Sequence, residues 1–117
     1  MSPFALNKNS TLKSQKEIEH LFVNGNKICD KLICLYFIKK SNGKVAFSVG
    51  KKNHPLAHKR NKIKRLMRES FRLSWLEDII SFNLLFVFVS KETHNYSNIE
   101  NSIKSLIIRL NKKNQNV

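Results

Sequence analysis

Between Pro55 and Leu76 the chain carries a residue pattern that few structures other than an amphipathic helix can satisfy. At about 100° per residue, Ile63, Leu66, Met67, Ser70, Phe71 and Ser74 share one arc. Asn61, Lys64, Arg65, Arg68 and Arg72 share the opposite arc, with Arg60 and Lys62 at its borders. Such a rod must lie on a core with one side and meet solvent or a ligand with the other. Pro55 fits the first turn, where its missing N–H costs nothing, and the pattern ends at about Trp75 or Leu76.

The polar side is nearly pure cation. From Lys51 to Arg72 the segment holds Lys51, Lys52, Lys59, Arg60, Lys62, Lys64, Arg65, Arg68 and Arg72 against a single acid, Glu69. Like charges at i and i+4, such as Lys64 with Arg68 and Arg68 with Arg72, repel by about a few tenths of a kcal/mol per pair. A merely solvated face usually mixes in acids to relieve this. Phosphates would compensate the cluster, and the arginine fork suits both phosphate pairing and stacking on bases. Asn61, set among these cations, offers donors and an acceptor for a base edge or a 2′-hydroxyl.

The rest of the composition agrees. The formal net charge is +14, from 22 Lys and Arg against 8 Asp and Glu, which suits a polyanionic partner: RNA, DNA or an acidic membrane surface. With 117 residues and 41% hydrophobic content, the chain is expected to form one domain over 1–117. A polar arm is expected at about 1–13 and a frayed tail at about 111–117. The N-terminus lacks the apolar core of a signal peptide, and the apolar run Leu84 to Val89 is too short to span a bilayer. A cytoplasmic protein without a membrane partner is expected.

Flanking signals set the element order. Ser14 and Glu17 form a capping box, Ile18, Leu21 and Phe22 follow at helical spacing, and Gly25 fits a helix C-terminus. These predict a first helix at about 15–24. Leu32 to Ile38 reads as a strand, and Ser41-Asn42-Gly43 as a hairpin turn into an antiparallel strand carrying Val45, Phe47 and Val49. Leu84 to Val89 reads as a buried central strand, with Phe82, Phe86 and Phe88 in the core. Ser97 and Glu100 suggest a second capping box, and Ile99, Ile103, Leu106, Ile107 and Leu110 stripe a last helix. The expectation is an α+β domain of order α-β-β-(β)-α-β-α, a small, mostly antiparallel sheet packed with three helices.

Catalytic chemistry is harder to find. The acids Glu17, Glu19, Asp30, Glu69, Glu77, Asp78, Glu92 and Glu100 are scattered, whereas a metal-dependent nuclease needs them clustered. His54 and His58 are four apart, but no glutamate completes a His-Glu-x-x-His site. An acid–base pair acting on RNA is the enzymatic alternative, and a helix-start role the plainer one. Cys29 and Cys34 read as small buried or half-buried side chains in an apolar stretch, in preference to a disulfide or half a metal site.

The run Arg60-Asn61-Lys62-Ile63-Lys64-Arg65-Leu66-Met67-Arg68-Glu69-Ser70-Phe71-Arg72 resembles the Arg-Asn-Arg motif of the bacterial ribonuclease P protein. The lead-in Phe47-Ser-Val-Gly-Lys-Lys-Asn53 and Ala57-His58 strengthen the likeness, which spans roughly Leu12 to Leu110. The resemblance implies a left-handed βαβ crossover through the basic helix, against the general right-handed rule. It implies an RNA subunit bound by Lys51, Lys52, Lys59, Arg60, Asn61, Lys62, Lys64, Arg65, Arg68 and Arg72. It implies a cleft for the 5′ leader of precursor tRNA, walled by Ile18, Phe22, Lys31 and Tyr36. From periodicity alone, Ile18 and Phe22 would be ordinary core. Lys62 stands where the motif has arginine, and Ile18 where an aromatic is common.

The resemblance further implies that the catalyst is the RNA subunit, with Mg²⁺ on its phosphates and no cofactor or catalytic residue on the protein. Leader removal would be endonucleolytic hydrolysis, with no further protein partner required. The alternatives are a general basic RNA-binding or ribosome-associated protein, and a DNA-binding module using residues 56–75.

Overall fold

The structure is a computed structural model that describes residues 15–39, 43–73, 82–92 and 94–115. Three helices and four strands follow in the order α1 (Gln15–Asn24), β1 (Asn26–Cys29), β2 (Ile33–Lys39), β3 (Val45–Val49), α2 (Ala57–Leu73), β4 (Phe82–Phe88) and α3 (Tyr96–Gln115). The expected α+β order is therefore present, with β1 as the additional strand.

The sheet order is β1-β2-β4-β3. β1 pairs with β2 and β2 with β4 antiparallel, while β3 pairs with β4 in parallel. The expected hairpin between β2 and β3 is thus overturned. β4, the most apolar strand, is buried on both faces and occupies the centre, between them. Residues 40–42, which include most of the proposed Asn-Gly turn, lie outside the described residues. Parallel β3 and β4 are joined through α2, so the basic helix is the crossover of a βαβ unit.

Alternation along the strands separates two apolar layers. One sheet face, carrying Leu35, Phe37, Val45, Leu84, Phe86 and Phe88, meets Ile63, Met67 and Phe71 of α2 and the full stripe Ile99, Ile103, Leu106, Ile107 and Leu110 of α3. The other face, with Ala46 and Leu85, is covered by Leu21 of α1, and Ile18, Tyr36, Ile38 and Val87 pack around them. α1 ends at Gly25, whose N–H bonds the Leu21 carbonyl at 3.0 Å. A Cβ at Gly25 would stand 2.5 Å from that oxygen, so glycine is what allows β1 to leave the helix so tightly.

Four local expectations change. Cys29 and Cys34 are joined by a disulfide, because Asp30 to Leu32 turns the chain back and makes them cross-strand partners with Cα atoms 4.0 Å apart. α3 is capped by Asn95, whose Oδ1 accepts the Asn98 N–H at 2.9 Å, and not by Ser97, which lies inside the helix. Pro55 precedes α2 instead of opening it, and α3 runs on to Gln115 through residues expected to fray. Lys112 and Lys113 there are good helix formers. Ser14, Ser74 and the expected end of the basic helix lie outside the described residues.

Asp30 fastens the β1–β2 hairpin to α3. Its Oδ1 accepts the N–H groups of Leu32 and Ile33, each at 2.9 Å, and its Oδ2 accepts the hydroxyl of buried Ser102. Arg109 adds a bond from its guanidinium to the Cys29 carbonyl at 2.9 Å. Asp30→Ala should lower unfolding free energy by about 1–3 kcal/mol, the range for losing bonds to a charged acceptor and leaving Ser102 unmatched. An unchanged urea midpoint and slope would remove this tether from the stability argument.

Candidate RNA-binding surfaces

The side of α2 away from the core is a cationic strip. Lys59, Lys62, Arg65 and Arg68 are exposed, as is Asn61, and Lys64 is half-buried. Lys51 and Lys52, exposed in the turn after β3, extend the strip beyond the helix start. A shallow depression of about 350 Å³ is lined by His58, Asn61, Lys62 and Arg65. The helical wheel therefore translates into a surface because Ile63, Met67, Ser70 and Phe71 are drawn into the core, which turns these cations outward.

Two of the arginines expected in the strip have structural engagements. Arg60 donates to the carbonyls of His54 at 3.0 Å and Pro55 at 2.8 Å, which holds the approach to α2 against the helix. Arg72 pairs with Glu69 one turn away. Arg68 instead lies over the Phe47 ring, 6.0 Å from its centroid, with its guanidinium open to solvent for a phosphate.

The two histidines part company. His54 is buried in the loop before α2, where Nε2–H donates to the Ser90 carbonyl at 2.8 Å and the ring lies 5.6 Å from Phe88. His58 is exposed on α2. They do not share a helix face, so the acid–base pair is not assembled. α2 is entered from β3 and not from a helix across a tight turn, which leaves the DNA-recognition alternative without its partner element. Among the described residues no three His, Cys, Asp or Glu side chains gather as metal ligands. No helix among them is long and apolar enough to cross a membrane.

A second surface lies where α1 crosses the sheet. Leu21 is the buried residue of that helix, whereas Phe22 remains 47% exposed and meets Tyr36 edge-on with ring centroids 4.8 Å apart. Ile18 is half-buried beside them. Phe22 is therefore not the core residue that periodicity alone suggests. Ile18, Leu21 and Phe22 share the apolar side of α1, but of the three only Leu21 is fully buried against the sheet. Lys31 is exposed in the β1–β2 turn, at the Cys29–Cys34 end of the hairpin.

Sequence reasoning missed Lys27. It is the cross-strand partner of Tyr36 and holds its ammonium 5.8 Å from the ring centroid. The alternation of Asn26 to Cys29, read as a strand, would have placed it on that face. The surface thus joins exposed Phe22 and half-buried Tyr36 to a lysine, the combination that holds single-stranded nucleic acid by stacking and charge.

Comparison with known proteins places both surfaces in context. The Ribonuclease P family model matches residues 6–111. A ribonuclease P protein component from Borreliella burgdorferi (strain ZS7) is 36% identical over 110 residues, covering 87% of this chain and 90% of that protein. One from Thermoanaerobacter sp. (strain X514) is 29% identical over 101 residues, covering 84% and 86%. The structure of the Staphylococcus aureus RNase P protein superposes with a TM-score of 0.76 at 21% identity, over 88% of this chain and 96% of that one. The Thermotoga maritima RNase P protein gives 0.72 at 20% identity, over 85% and 96%.

Proposed function

The chain belongs to the ribonuclease P protein family, and on that premise we propose that it serves as the protein subunit of this tRNA-processing endoribonuclease, holding the RNA subunit on α2 and the precursor's 5′ leader beside α1. The single observation that carries the proposal is the separation of two surfaces on one small domain: a cationic strip on α2, and an aromatic pair with a lysine on the opposite layer.

On the first surface, Lys51, Lys52, Lys59, Lys62, Lys64, Arg65 and Arg68 neutralise phosphates of the folded RNA subunit. Asn61 sits among them to meet a base edge or a 2′-hydroxyl. Arg60 and Arg72 are expected to contribute less, because their guanidinium groups already serve the protein's own carbonyls and Glu69. Lys62 in place of arginine keeps the charge and gives up the bidentate fork.

On the second surface, Phe22 and Tyr36 offer ring faces and edges to leader bases, Ile18 supplies apolar contact, and Lys27 and Lys31 attract the phosphates between them. Bond cleavage is assigned to the RNA subunit, with Mg²⁺ held on RNA phosphates. The protein adds positive charge near that centre and lowers the Mg²⁺ needed to fold and load the complex. Its side chains bind and orient the substrate, and the attack on the phosphodiester is not routed through any of them. The cytoplasm, where tRNA precursors are made in bacteria, is the compartment this reading requires.

Reconstitution tests the proposal. Added to a bacterial ribonuclease P RNA at low Mg²⁺, the protein should restore cleavage of precursor tRNA to a mature 5′ end, while protein alone should cleave nothing. Failure to stimulate the RNA would favour a general RNA-binding or ribosome-associated role. Tyr36→Ala should weaken binding of leader-bearing precursor by about 1–3 kcal/mol, the value of one base–aromatic stack, and leave mature tRNA nearly unaffected. Equal losses for both RNAs would discredit the leader surface.

A further inference from the structure

β1 is weakly secured by packing. It is an edge strand of four residues, paired with β2 alone, and only Ile28 of the four is buried. Segments with so little buried apolar surface lie at the low end of local stability. Besides Ile28, the strand is held by its ladder to β2, by the bond from the Arg109 guanidinium to the Cys29 carbonyl, and by the disulfide from Cys29 to Cys34.

Register brings the two sulfurs together. The Asp30 N–H bonds the Ile33 carbonyl at 3.0 Å, so Asp30 and Ile33 form the hydrogen-bonded pair that closes the hairpin. Cys29 and Cys34, one step along the ladder, are then a non-hydrogen-bonded pair, the kind whose side chains approach most closely. Asp30 fixes that register from the turn, through its bonds to Leu32, Ile33 and Ser102. With the sulfur–sulfur bond open, the two thiols would stay side by side, and no other element has to move for the bond to close again.

The pair is also reachable. Ile28, Ile33 and Leu35 point into the α2–α3 core, so alternation sets both cysteines on the other side of the hairpin, where each is half-buried. Lys31 is exposed in the turn between them, and Lys27 is exposed two residues before Cys29 on the same strand face. Cations on both sides attract an anionic reagent to the sulfurs. Among the described residues no third metal-ligating side chain joins them, which leaves sulfur–sulfur chemistry as the use of the pair.

We infer that Cys29 and Cys34 form a reversible thiol–disulfide clasp on β1, closed and opened by exchange with a small anionic disulfide or thiol of the glutathione class. The inference rests on the cytoplasmic reading above, because a cytosolic pair meets reducing thiols, and cytosolic disulfides are characteristically transient. In closing, the thiolate of one cysteine attacks a sulfur of glutathione disulfide, forming a mixed disulfide and releasing one glutathione thiolate. The second cysteine thiolate attacks the protein sulfur of that mixed disulfide and releases the other. The protein loses two electrons and two protons, which leave on the two glutathione thiols. Oxidising conditions thus fasten the edge strand covalently, and reducing ones leave it to its ladder, Ile28 and Arg109.

The test equilibrates the full chain with mixtures of glutathione and glutathione disulfide, folded and in guanidinium chloride, and counts dithiol and disulfide after acid quenching and alkylation. Closing should be favoured about 40-fold more in the folded chain, the factor that loop closure over so short a span gives, and reduction should lower the folded-to-unfolded ratio by the same factor. The double variant Cys29→Ser with Cys34→Ser should match the reduced protein and ignore glutathione disulfide. Cys29→Ser alone should stop at the mixed disulfide. Equal closing in folded and denatured chains would overturn the clasp, as would accumulation of the mixed disulfide in the wild type. In cells that make the protein, thiol trapping should find the dithiol at rest and the disulfide after a brief exposure to diamide, with a return on its removal. Dithiol throughout would overturn the switch and leave the subunit reading standing. Disulfide throughout would overturn it together with the cytoplasmic reading, while stimulation of ribonuclease P RNA on reconstitution decides the subunit reading separately.

Discussion

Raising monovalent salt fourfold, from about 0.05 to about 0.2 M, should weaken binding of this protein to ribonuclease P RNA by roughly 250- to 1000-fold. The expectation follows from counterion release, with a log–log slope of about −0.7 to −0.9 for each phosphate neutralised. The α2 strip and the turn before it present Lys51, Lys52, Lys59, Lys62, Lys64, Arg65 and Arg68 to solvent, whereas Arg60 and Arg72 are already bonded within the chain. Contact with about six phosphates gives a slope near −4 to −5. Arg68→Ala should flatten the slope by about one and cost about 1–3 kcal/mol at low salt, since its guanidinium can meet phosphate while its back lies on Phe47. Affinity that barely responds to salt would mean that this strip is solvated and the RNA lies elsewhere.

Phe86→Ala should destabilise the fold by about 3–5 kcal/mol, a large share of what a domain of this size possesses. Phe86 is fully buried at the centre of β4, stacked on Phe47 at 5.5 Å and tilted against Phe71 of α2 at 5.5 Å. Truncation leaves a cavity beneath α2, and the rings on either side cannot collapse into it without shifting that helix. RNA affinity measured well below the new melting temperature should therefore fall too, although residue 86 touches no solvent. A stability loss under about 1 kcal/mol by chemical denaturation would show that the aromatic layer relaxes and that α2 is not seated by it.

Much of the proposed leader surface depended on choices that local pattern leaves open. Leu21, Phe22 and Ile18 are equally apolar in sequence, and helical spacing ranks none of them above the others. The sheet admits Leu21 between Ala46 and Leu85 and leaves Phe22 to find Tyr36. Lys27 went unnoticed because the four residues of β1 are too few to declare a strand without their partner. The same shortness concealed the pairing of Cys29 with Cys34, which exists only once the Asp30 turn sets their register.

What the sequence determined by itself was the character of each element. A helix with a cationic arc, a strand built on the apolar run Leu84 to Val89 and a striped last helix follow from the chain's local pattern, which needs no tertiary partner to be read. The three helices, the buried β4 and the outward-facing cations of α2 were therefore readable before any fold existed. Tertiary structure alone decided which strands meet. The Asn42-Gly43 signal argues for β2 beside β3, but burying both faces of β4 releases more apolar surface from water than a surface hairpin does, and β4 takes the central place. That one choice makes α2 a crossover over a parallel pair and leaves the opposite sheet face for α1 to divide. It also brings Asn83 of β4 beside Ile38 of β2, a meeting no local pattern encodes, because pairing is a competition among distant segments for the same interior.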